Sequence, residues 1–280
     1  MDRSEWKQYI LETYHAVSDR PWPRHPNHEV FRHPGNQKWF ALMMEVPGEK
    51  LGLPEREKHV VSLCGGGGKT TLMYVLARET KTILPTALFT TTHIMTPSDA
   101  DVVLSVPFSA EECRAAWREG KIASSGTFLS EERKFGAPGE ETMCFLCREA
   151  SAVIIEADGA RRLPVKFPAA REPVIRPETT HTIVVAGLSA LGKKPEEIVH
   201  RYALAKNTVD LSGDSLTEKQ MAELLWAGYG RFDPIFFINQ ADTPVLALRG
   251  ERICAMLRDF GARRAVTASL HALRKSYERG

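Results

Sequence analysis

At 280 residues the chain is long enough for one large domain or two modest ones, each with a full hydrophobic core. Hydrophobic residues make up 43% and charged residues 26%, as in ordinary globular proteins, and a net charge of +2 argues neither for nor against a polyanionic partner. No apolar run could cross a bilayer, the first residues are not a secretory signal, and five scattered cysteines do not form a disulfide framework. We therefore expect a cytoplasmic protein with no membrane partner.

The first 57 residues differ in character from the rest. Apolar residues recur at helical spacing over residues 4–17, and two short apolar runs at 29–32 and 39–46 predict a hairpin. The stretch PWPRHPNHEVFRHPGNQKWFALMMEVPGEKLGL resembles the first half of the MmcQ/YjbR-like domains, small α/β proteins of which some bind DNA. A helix with one hairpin is a poor folding unit by itself. We interpret residues 1–57 as a truncated segment of such a domain.

A glycine-rich turn then lies between a predicted strand, residues 59–64, and a predicted helix. Without side chains, glycines let a polyphosphate approach the backbone N–H groups, while a lysine adds charge and a threonine hydroxyl can ligate Mg²⁺. Leu63 departs from the longer pattern G-x-x-x-x-G-K-[ST], and the residues match G-x-x-G-K-T-T instead. A flexible linker would not be followed by Lys-Thr-Thr. The residues expected to hold the nucleotide phosphates are Gly65, Gly66, Gly67, Gly68, Lys69, Thr70 and Thr71.

Polar residues end the next predicted strand, residues 87–92. Thr92 and its two preceding threonines are placed to contact a γ-phosphate or a metal-bound water, because open α/β sheets bind ligands at the carboxyl ends of their strands. Threonine is also a common strand residue, which is the simpler explanation. His93 follows directly and is either a site residue or an ordinary surface histidine.

The following segment carries no evident chemistry. We predict a strand at 101–106, a helix at 109–119 opened by a capping box, a hairpin-like connection at 121–128 and a mobile loop at 135–139.

An acidic pair, Glu156 and Asp158, ends an apolar run that predicts a strand buried on both faces. In P-loop proteins an acid at such a strand end holds Mg²⁺ directly or through water. Asp158 is the better metal candidate because it lies at the strand's mouth, and Glu156 could orient a water or act as general base. A basic, proline-punctuated loop follows over 159–177, in which Lys166 is the candidate for an anion contact.

A further buried strand at 182–186, a short helix at 195–202 and a second capping box at 215–218 precede the last polar motif. There a strand ends in Asn239 and Asp242, which resemble the N-K-x-D guanine motif of GTPases with Gln240 in place of lysine. Ser269 resembles the serine of the loop that completes the same pocket. The alternative is that these residues cap a helix, so ATP and GTP both stay open.

In chain order the segments GGGGKTT, TTTHI, IIEADGARRLPVKFP, REPVI, VHR and INQAD resemble the YqeC family over about residues 58–280. The resemblance implies nucleotide phosphates at the glycine turn, a metal at Glu156 and Asp158, and motif positions of unknown role at Lys166, His200 and Arg201. It also implies an accessory role in maturing the selenium cofactor of molybdenum hydroxylases, with such a hydroxylase or its cofactor as partner.

The sequence thus predicts an α/β fold with a three-layer, P-loop NTPase-like, mostly parallel sheet over 58–280, and a small partial α+β segment before it. One hypothesis is a Mg²⁺-dependent nucleoside triphosphatase or phosphoryl transferase acting on a small anion, with Lys69, Glu156 and His93 catalytic and Thr70 with Asp158 holding the metal. The other is a nucleotide-gated protein that delivers a cofactor to a hydroxylase. Nucleic acid is not the expected partner; DNA binding through 1–57 is a minor alternative.

Overall fold

The computed structural model describes residues 58–81, 83–97, 99–129 and 134–270, all of which belong to the compact unit Asn36–Gly280. The helix and hairpin predicted within residues 1–57 lie outside the described residues, as does the predicted boundary with the nucleotide domain.

Strands and helices alternate along most of the described chain. The strands are β1 (His59–Gly65), β2 (Thr86–Thr90), β3 (His93–Met95), β4 (Val102–Leu104), β5 (Ile122–Ser124), β6 (Thr127–Leu129), β7 (Lys134–Gly136), β8 (Ala152–Glu156), β9 (Val165–Lys166), β10 (His181–Gly187), β11 (Val199–His200), β12 (Ile235–Asn239) and β13 (Arg264–Thr267). The helices are α1 (Lys69–Thr80), α2 (Ala110–Arg118), α3 (Glu140–Glu149), α4 (Pro195–Ile198), α5 (Tyr202–Ala205), α6 (Glu218–Tyr229) and α7 (Pro244–Asp259), with two 3₁₀ turns at Leu188–Ala190 and Gly230–Phe232.

Eight strands form the main sheet in the order β13-β12-β10-β1-β8-β2-β5-β4, and every neighbouring pair is parallel. Successive side chains of a strand face opposite sides of a sheet. In β1 both sets are buried: Val61 and Leu63 on one side, Val60 and Cys64 on the other. Helices therefore cover both faces of the sheet, and the predicted three-layer α/β architecture of the P-loop class is confirmed.

The helices begin where local capping chemistry allows. Ser109 caps α2 through the backbone N–H of Glu112, but the Glu112 carboxylate accepts the Ser105 hydroxyl, so only half of the predicted capping box is present. The capping box of α6, however, is formed by Thr217 and Gln220, two residues later than the predicted box, so that prediction was wrong. None of the helices in the described ranges has the length and apolarity that a bilayer span requires.

Two segments form strands in places that the sequence does not predict. Ile122–Ser124 is not one arm of a hairpin but a strand of the main sheet between β2 and β4. Phe135, predicted in a mobile loop, lies in β7 and is fully buried, because β7 pairs antiparallel with both β3 and β6 in a small three-stranded sheet. Runs of three residues are too short for periodicity to reveal, which explains both errors.

Candidate functional site

The glycine turn between β1 and α1 has a backbone that only glycine can adopt at this spot. Gly65, Gly67 and Gly68 have φ of 89°, 73° and 132°, in the left-handed region that side chains disfavour. A Cβ on Gly65 would lie 2.2 Å from the carbonyl oxygen of Val185, and one on Gly68 would lie 2.4 Å from Nδ2 of Asn239. The four glycines are therefore required by close approach of the protein's own backbone as well as by any ligand.

Three of the turn's N–H groups are already used within the protein. That of Gly65 donates to Oδ2 of Asp158 at 3.1 Å, that of Gly66 to Val185 at 2.8 Å, and that of Gly67 to Leu163 at 3.2 Å. These three N–H groups are predicted to face an anion, but they bind protein oxygen atoms instead. The N–H groups that remain for a phosphate are that of Gly68 and those of the first turn of α1, beginning at Lys69, which have no partner inside the helix.

Lys69 is 5% exposed and lies among oxygen atoms. Its Nζ donates to the carbonyl oxygen of Gly65 at 2.6 Å and lies 3.3 Å from Oδ1 of Asp158 and 3.7 Å from Oε1 of Glu156. The sequence placed all four of these groups in one site, and the structure brings them together. A phosphate arriving here would compete with two carboxylates for the ammonium group.

Glu156 and Asp158 have contacts that differ from the predicted ones. The Thr70 hydroxyl donates to Oε2 of Glu156 at 2.8 Å, whereas no hydrogen bond in the described chain joins Thr70 to Asp158. Burial raises the pKa of Glu156, against the opposing effects of Lys69 and Thr70. Glu156, rather than the predicted Asp158, is thus the carboxylate that faces the threonine expected to hold Mg²⁺.

Asp158 is fully buried and serves as an anchor for surrounding elements. Besides the Gly65 N–H, its Oδ2 receives the hydroxyl of Tyr229 at 3.2 Å and lies 3.2 Å from Nζ of Lys166. Burial, followed by the Asp158 charge, raises the pKa of Tyr229 well above its ordinary value. Sequence reasoning missed Tyr229 because an aromatic residue at a helical core position gives no sign of a polar role.

Lys166 is fully buried, and all three of its N–H groups have acceptors. Its Nζ donates to the carbonyl oxygen of Gly159 at 2.8 Å and pairs with Asp158 and, at 3.0 Å, with Glu172. Glu172 in turn accepts two hydrogen bonds from Arg201, at 2.8 and 3.0 Å. The predicted anion contact through Lys166 is therefore corrected: this side chain links Asp158 to the 159–177 loop.

We expect Glu172 to make the stability of the fold depend on pH. Despite partial burial, hydrogen bonds from Arg201 and Lys166 lower its pKa from 4.5 to about 2. Because the folded-state pKa is the lower one, its contribution is complete above pH 4.5 and is lost as the pH falls towards 2. Unfolding of Glu172→Gln and of the unaltered chain in denaturant, followed from pH 7 to pH 2, should converge at the acid end. A constant difference across that range would contradict this assignment.

The threonine segment after β2 lies against the acid strand. The hydroxyl of Thr90 donates to the carbonyl oxygen of Glu156 at 3.0 Å and lies 3.2 Å from the hydroxyl of Thr92. The Thr91 hydroxyl is buried and has no hydrogen-bond partner among the described residues. His93 is exposed at the start of β3, and nothing described joins it to either acid, so its predicted catalytic role is not supported.

The predicted base-binding residues lie around the same turn. Nδ2 of Asn239 donates to the carbonyl oxygen of Gly67 at 2.7 Å, and its Oδ1 accepts the N–H of Leu270 at 3.1 Å. The Ser269 hydroxyl donates to the exposed carboxylate of Asp242. Helix α7 is capped by Thr243 instead of either motif residue, which removes the helix-capping explanation of the motif.

Oxygen donors around Thr70 suit Mg²⁺ in a nucleotide site. The described residues contain no group of three or more His, Cys, Asp or Glu side chains placed to hold a metal by themselves. Mg²⁺ usually takes one or two protein oxygens and completes its shell with phosphates and water. The Thr70 hydroxyl and the Glu156 carboxylate, which are joined by a hydrogen bond, fit that pattern.

A phosphate turn at the carboxyl edge of a parallel sheet, with an acid at the end of the adjacent strand, defines the P-loop class of nucleotide-binding folds. The family described as YqeC protein matches residues 61–203, more than half of the chain. The chain therefore belongs to the YqeC family, as the motifs indicated.

Curated relatives match parts of the chain. It is 29% identical over 181 residues to the uncharacterized protein YqeC of Escherichia coli, covering 59% of this chain and 66% of that protein. It is 40% identical over 53 residues to the uncharacterized protein YyaQ of Bacillus subtilis, covering 19% of this chain and 45% of that one. The chain thus spans less than two thirds of each relative. Among solved structures, the hydrogenase maturation factor HypB of Archaeoglobus fulgidus matches with a TM-score of 0.37 and 10% identity, over 77% of this chain and 83% of that one.

Proposed function

We propose that this chain binds a nucleoside triphosphate with Mg²⁺, prefers GTP, hydrolyses it, and acts as an accessory protein in the maturation of selenium-dependent molybdenum hydroxylases. The observation that carries the nucleotide proposal is the junction of β1, α1 and β8, where Lys69 and Thr70 meet Glu156. The hydroxylase role rests on the family resemblance of the motifs. We propose a cytoplasmic location with it.

In this proposal the first turn of α1 binds the phosphates through its N–H groups, and Lys69 leaves the two carboxylates to pair with phosphate oxygen. Thr70 and Glu156 hold the metal, which when bound neutralises charge on the outer phosphates. The Thr91 hydroxyl, which is buried and has no hydrogen-bond partner among the described residues, orients the attacking water; the backbone N–H of Thr91 donates to the carbonyl oxygen of Glu156 at 3.0 Å, which keeps the residue at the end of β8. Asp158 fixes the turn and the position of Lys69.

The preference for GTP depends on the carboxylate of Asp242. A carboxylate can accept from the two N–H donors on guanine, which adenine does not offer, and Asp242 is exposed and held by Ser269. Gln240 does not replace the stacking lysine of GTPases directly, since its side chain accepts the N–H of Ser189 at 3.0 Å. We therefore expect preference for GTP from Asp242, with weaker stacking than in those proteins.

Calorimetric titration of the chain with GTP and with ATP, each with Mg²⁺, tests the proposal. We expect tighter binding of GTP, and a loss of about 10- to 100-fold in GTP affinity for Asp242→Ala with ATP unaffected, the cost of an unmade charged hydrogen bond. Asp259→Ala, which removes the same charge from the far end of α7, is the matched control and should change neither affinity. Failure to bind either nucleotide would overturn the proposed function; equal affinities would overturn only the base preference.

A further inference from the structure

Next to Asp158 the chain makes a tight turn that carries two arginines in a conformation they disfavour. The N–H of Leu163 donates to the carbonyl oxygen of Ala160 at 2.9 Å, closing a four-residue turn. Its two central residues, Arg161 and Arg162, have φ of 49° and 63°. Positive φ at both central positions is the pattern of a type I′ turn, where asparagine and glycine are the relaxed choices. The backbone does not explain the two arginines, and strained residues of this kind cluster at functional sites.

The turn is fixed against the phosphate-binding turn. The carbonyl oxygen of Leu163 accepts the N–H of Gly67 at 3.2 Å, and that of Pro164 accepts the N–H of Gly187 at 2.8 Å. A Cβ on Gly66 would lie 2.4 Å from the Leu163 carbonyl oxygen, so the two backbones are in contact. The arginine turn therefore has a defined place beside the phosphate site, and its two side chains are exposed there.

A third strained arginine lies on the neighbouring strand pair. Arg201 has φ of 66° and follows His200, which is directly opposite Lys166 in the pairing of β11 with β9. Burial and then the charges of Lys166, Arg201 and Arg161 lower the pKa of half-buried His200. The strand pair thus places His200 and Arg201 beside Lys166, in the segment that follows the arginine turn.

The positive charges of Arg161 and Arg162 are not balanced within the described chain. Asp158 is fully buried, and Glu172 already accepts from Lys166, Arg201 and the N–H of Ala169. Neither Arg161 nor Arg162 has an ion pair or hydrogen bond in the described ranges. Guanidinium groups with free, forked donors next to a neutral imidazole are suited to oxygen atoms of a small anion.

We propose that Arg161 and Arg162, with His200 on the nearby strand β11, form an oxyanion-binding site beside the phosphate turn. Its ligand carries a tetrahedral or carboxylate oxyanion: either a separate small anionic substrate or the terminal phosphate of the nucleotide. The site goes beyond nucleotide binding, because it lies on the 159–177 loop and β11 and uses none of the residues assigned to the phosphate turn.

Titration of the nucleotide-free chain with inorganic phosphate tests the site. Arg161→Gly and Arg162→Gly should each weaken phosphate binding about tenfold or more without lowering the melting temperature, because glycine relieves the left-handed strain. Arg171→Ala removes an exposed arginine of the same loop and should leave the affinity unchanged. A lower melting temperature with unchanged affinity would mean a structural role and overturn the proposal.

Two further arms separate the sources of the anion. If phosphate still binds to the GTP-loaded chain, the ligand is a separate anion. If GTP competes with phosphate, and the competition weakens in Arg161→Gly, the ligand is the terminal phosphate of the nucleotide. Phosphate binding lost in Lys69→Ala but kept in Arg161→Gly would place the anion on the phosphate turn only and overturn the site. The titrations with phosphate alone use the nucleotide-free chain, so failure of the proposed GTP binding does not affect their result.

Discussion

Replacing Lys69 with alanine is expected to reduce triphosphate hydrolysis by at least 10²- to 10³-fold. Lys69 lies at the start of α1 with its Nζ within 3.7 Å of both acids, the position from which an ammonium group reaches a transferring phosphoryl group. Removing one preorganised charge from a developing oxyanion costs about 2.7–4 kcal/mol in other enzymes. Steady-state release of inorganic phosphate from GTP with Mg²⁺ measures the loss.

Lys81→Ala is the matched control for this experiment. It removes the same charge from the other end of the helix, where Lys81 pairs with Asp101 at 2.9 Å, and should leave turnover unchanged. Thermal unfolding of both variants checks that the fold is retained, which we expect for Lys69→Ala because Asp158 still pairs with Lys166. Full turnover in a folded Lys69→Ala protein would contradict the hydrolytic mechanism.

Replacing Asp158 with alanine is expected to lower the free energy of unfolding by about 3 kcal/mol. Breaking a buried ion pair typically costs about 3–5 kcal/mol, and the lower end applies because Lys166 keeps Glu172 as a partner. The N–H of Gly65 and the hydroxyl of Tyr229 would also lose their acceptor. Denaturant unfolding at pH 7 gives the value.

Glu156→Gln is the comparison that separates anchoring from metal binding. This change keeps the shape of a side chain that contacts Thr70, so we expect a smaller loss of stability but a much higher Mg²⁺ requirement for nucleotide binding. The opposite pattern would restore the assignment of the metal to Asp158: Asp158→Ala would keep its stability, and its nucleotide binding would need a much higher Mg²⁺ concentration.

The central part of the fold could be predicted from the sequence because its signals are local. A continuous apolar run predicts a strand buried on both faces, and glycines followed by Lys69 and Thr70 mark the turn that comes after it. Where an element has only three residues, as β5 and β7 do, the periodicity is too short and tertiary pairing decides the conformation.

The residue types of the candidate site were also predictable, but the contacts that each residue makes were not. Spacing along β8 places Glu156 and Asp158 on the same side of the strand, and it does not tell which one meets Thr70. That depends on the contacts that Asp158 makes with Tyr229, from a distant part of the chain, and with Lys166, from the loop that follows. The arginine turn was visible only as a charged loop, since its left-handed backbone is set by contacts with Gly67 and Gly187.

The position of β1 between β8 and β10 has a consequence for how the protein matures during synthesis. The glycine turn is closed by contacts to Leu163 and Val185, residues translated long after the turn itself. Long-range parallel pairing of this kind is slow to form, and ribosomes add only about 5–20 residues per second. The glycine turn is thus encoded early but completed late, and a nascent chain that ends before β10 carries the motif without the Val185 carbonyl that binds the N–H of Gly66.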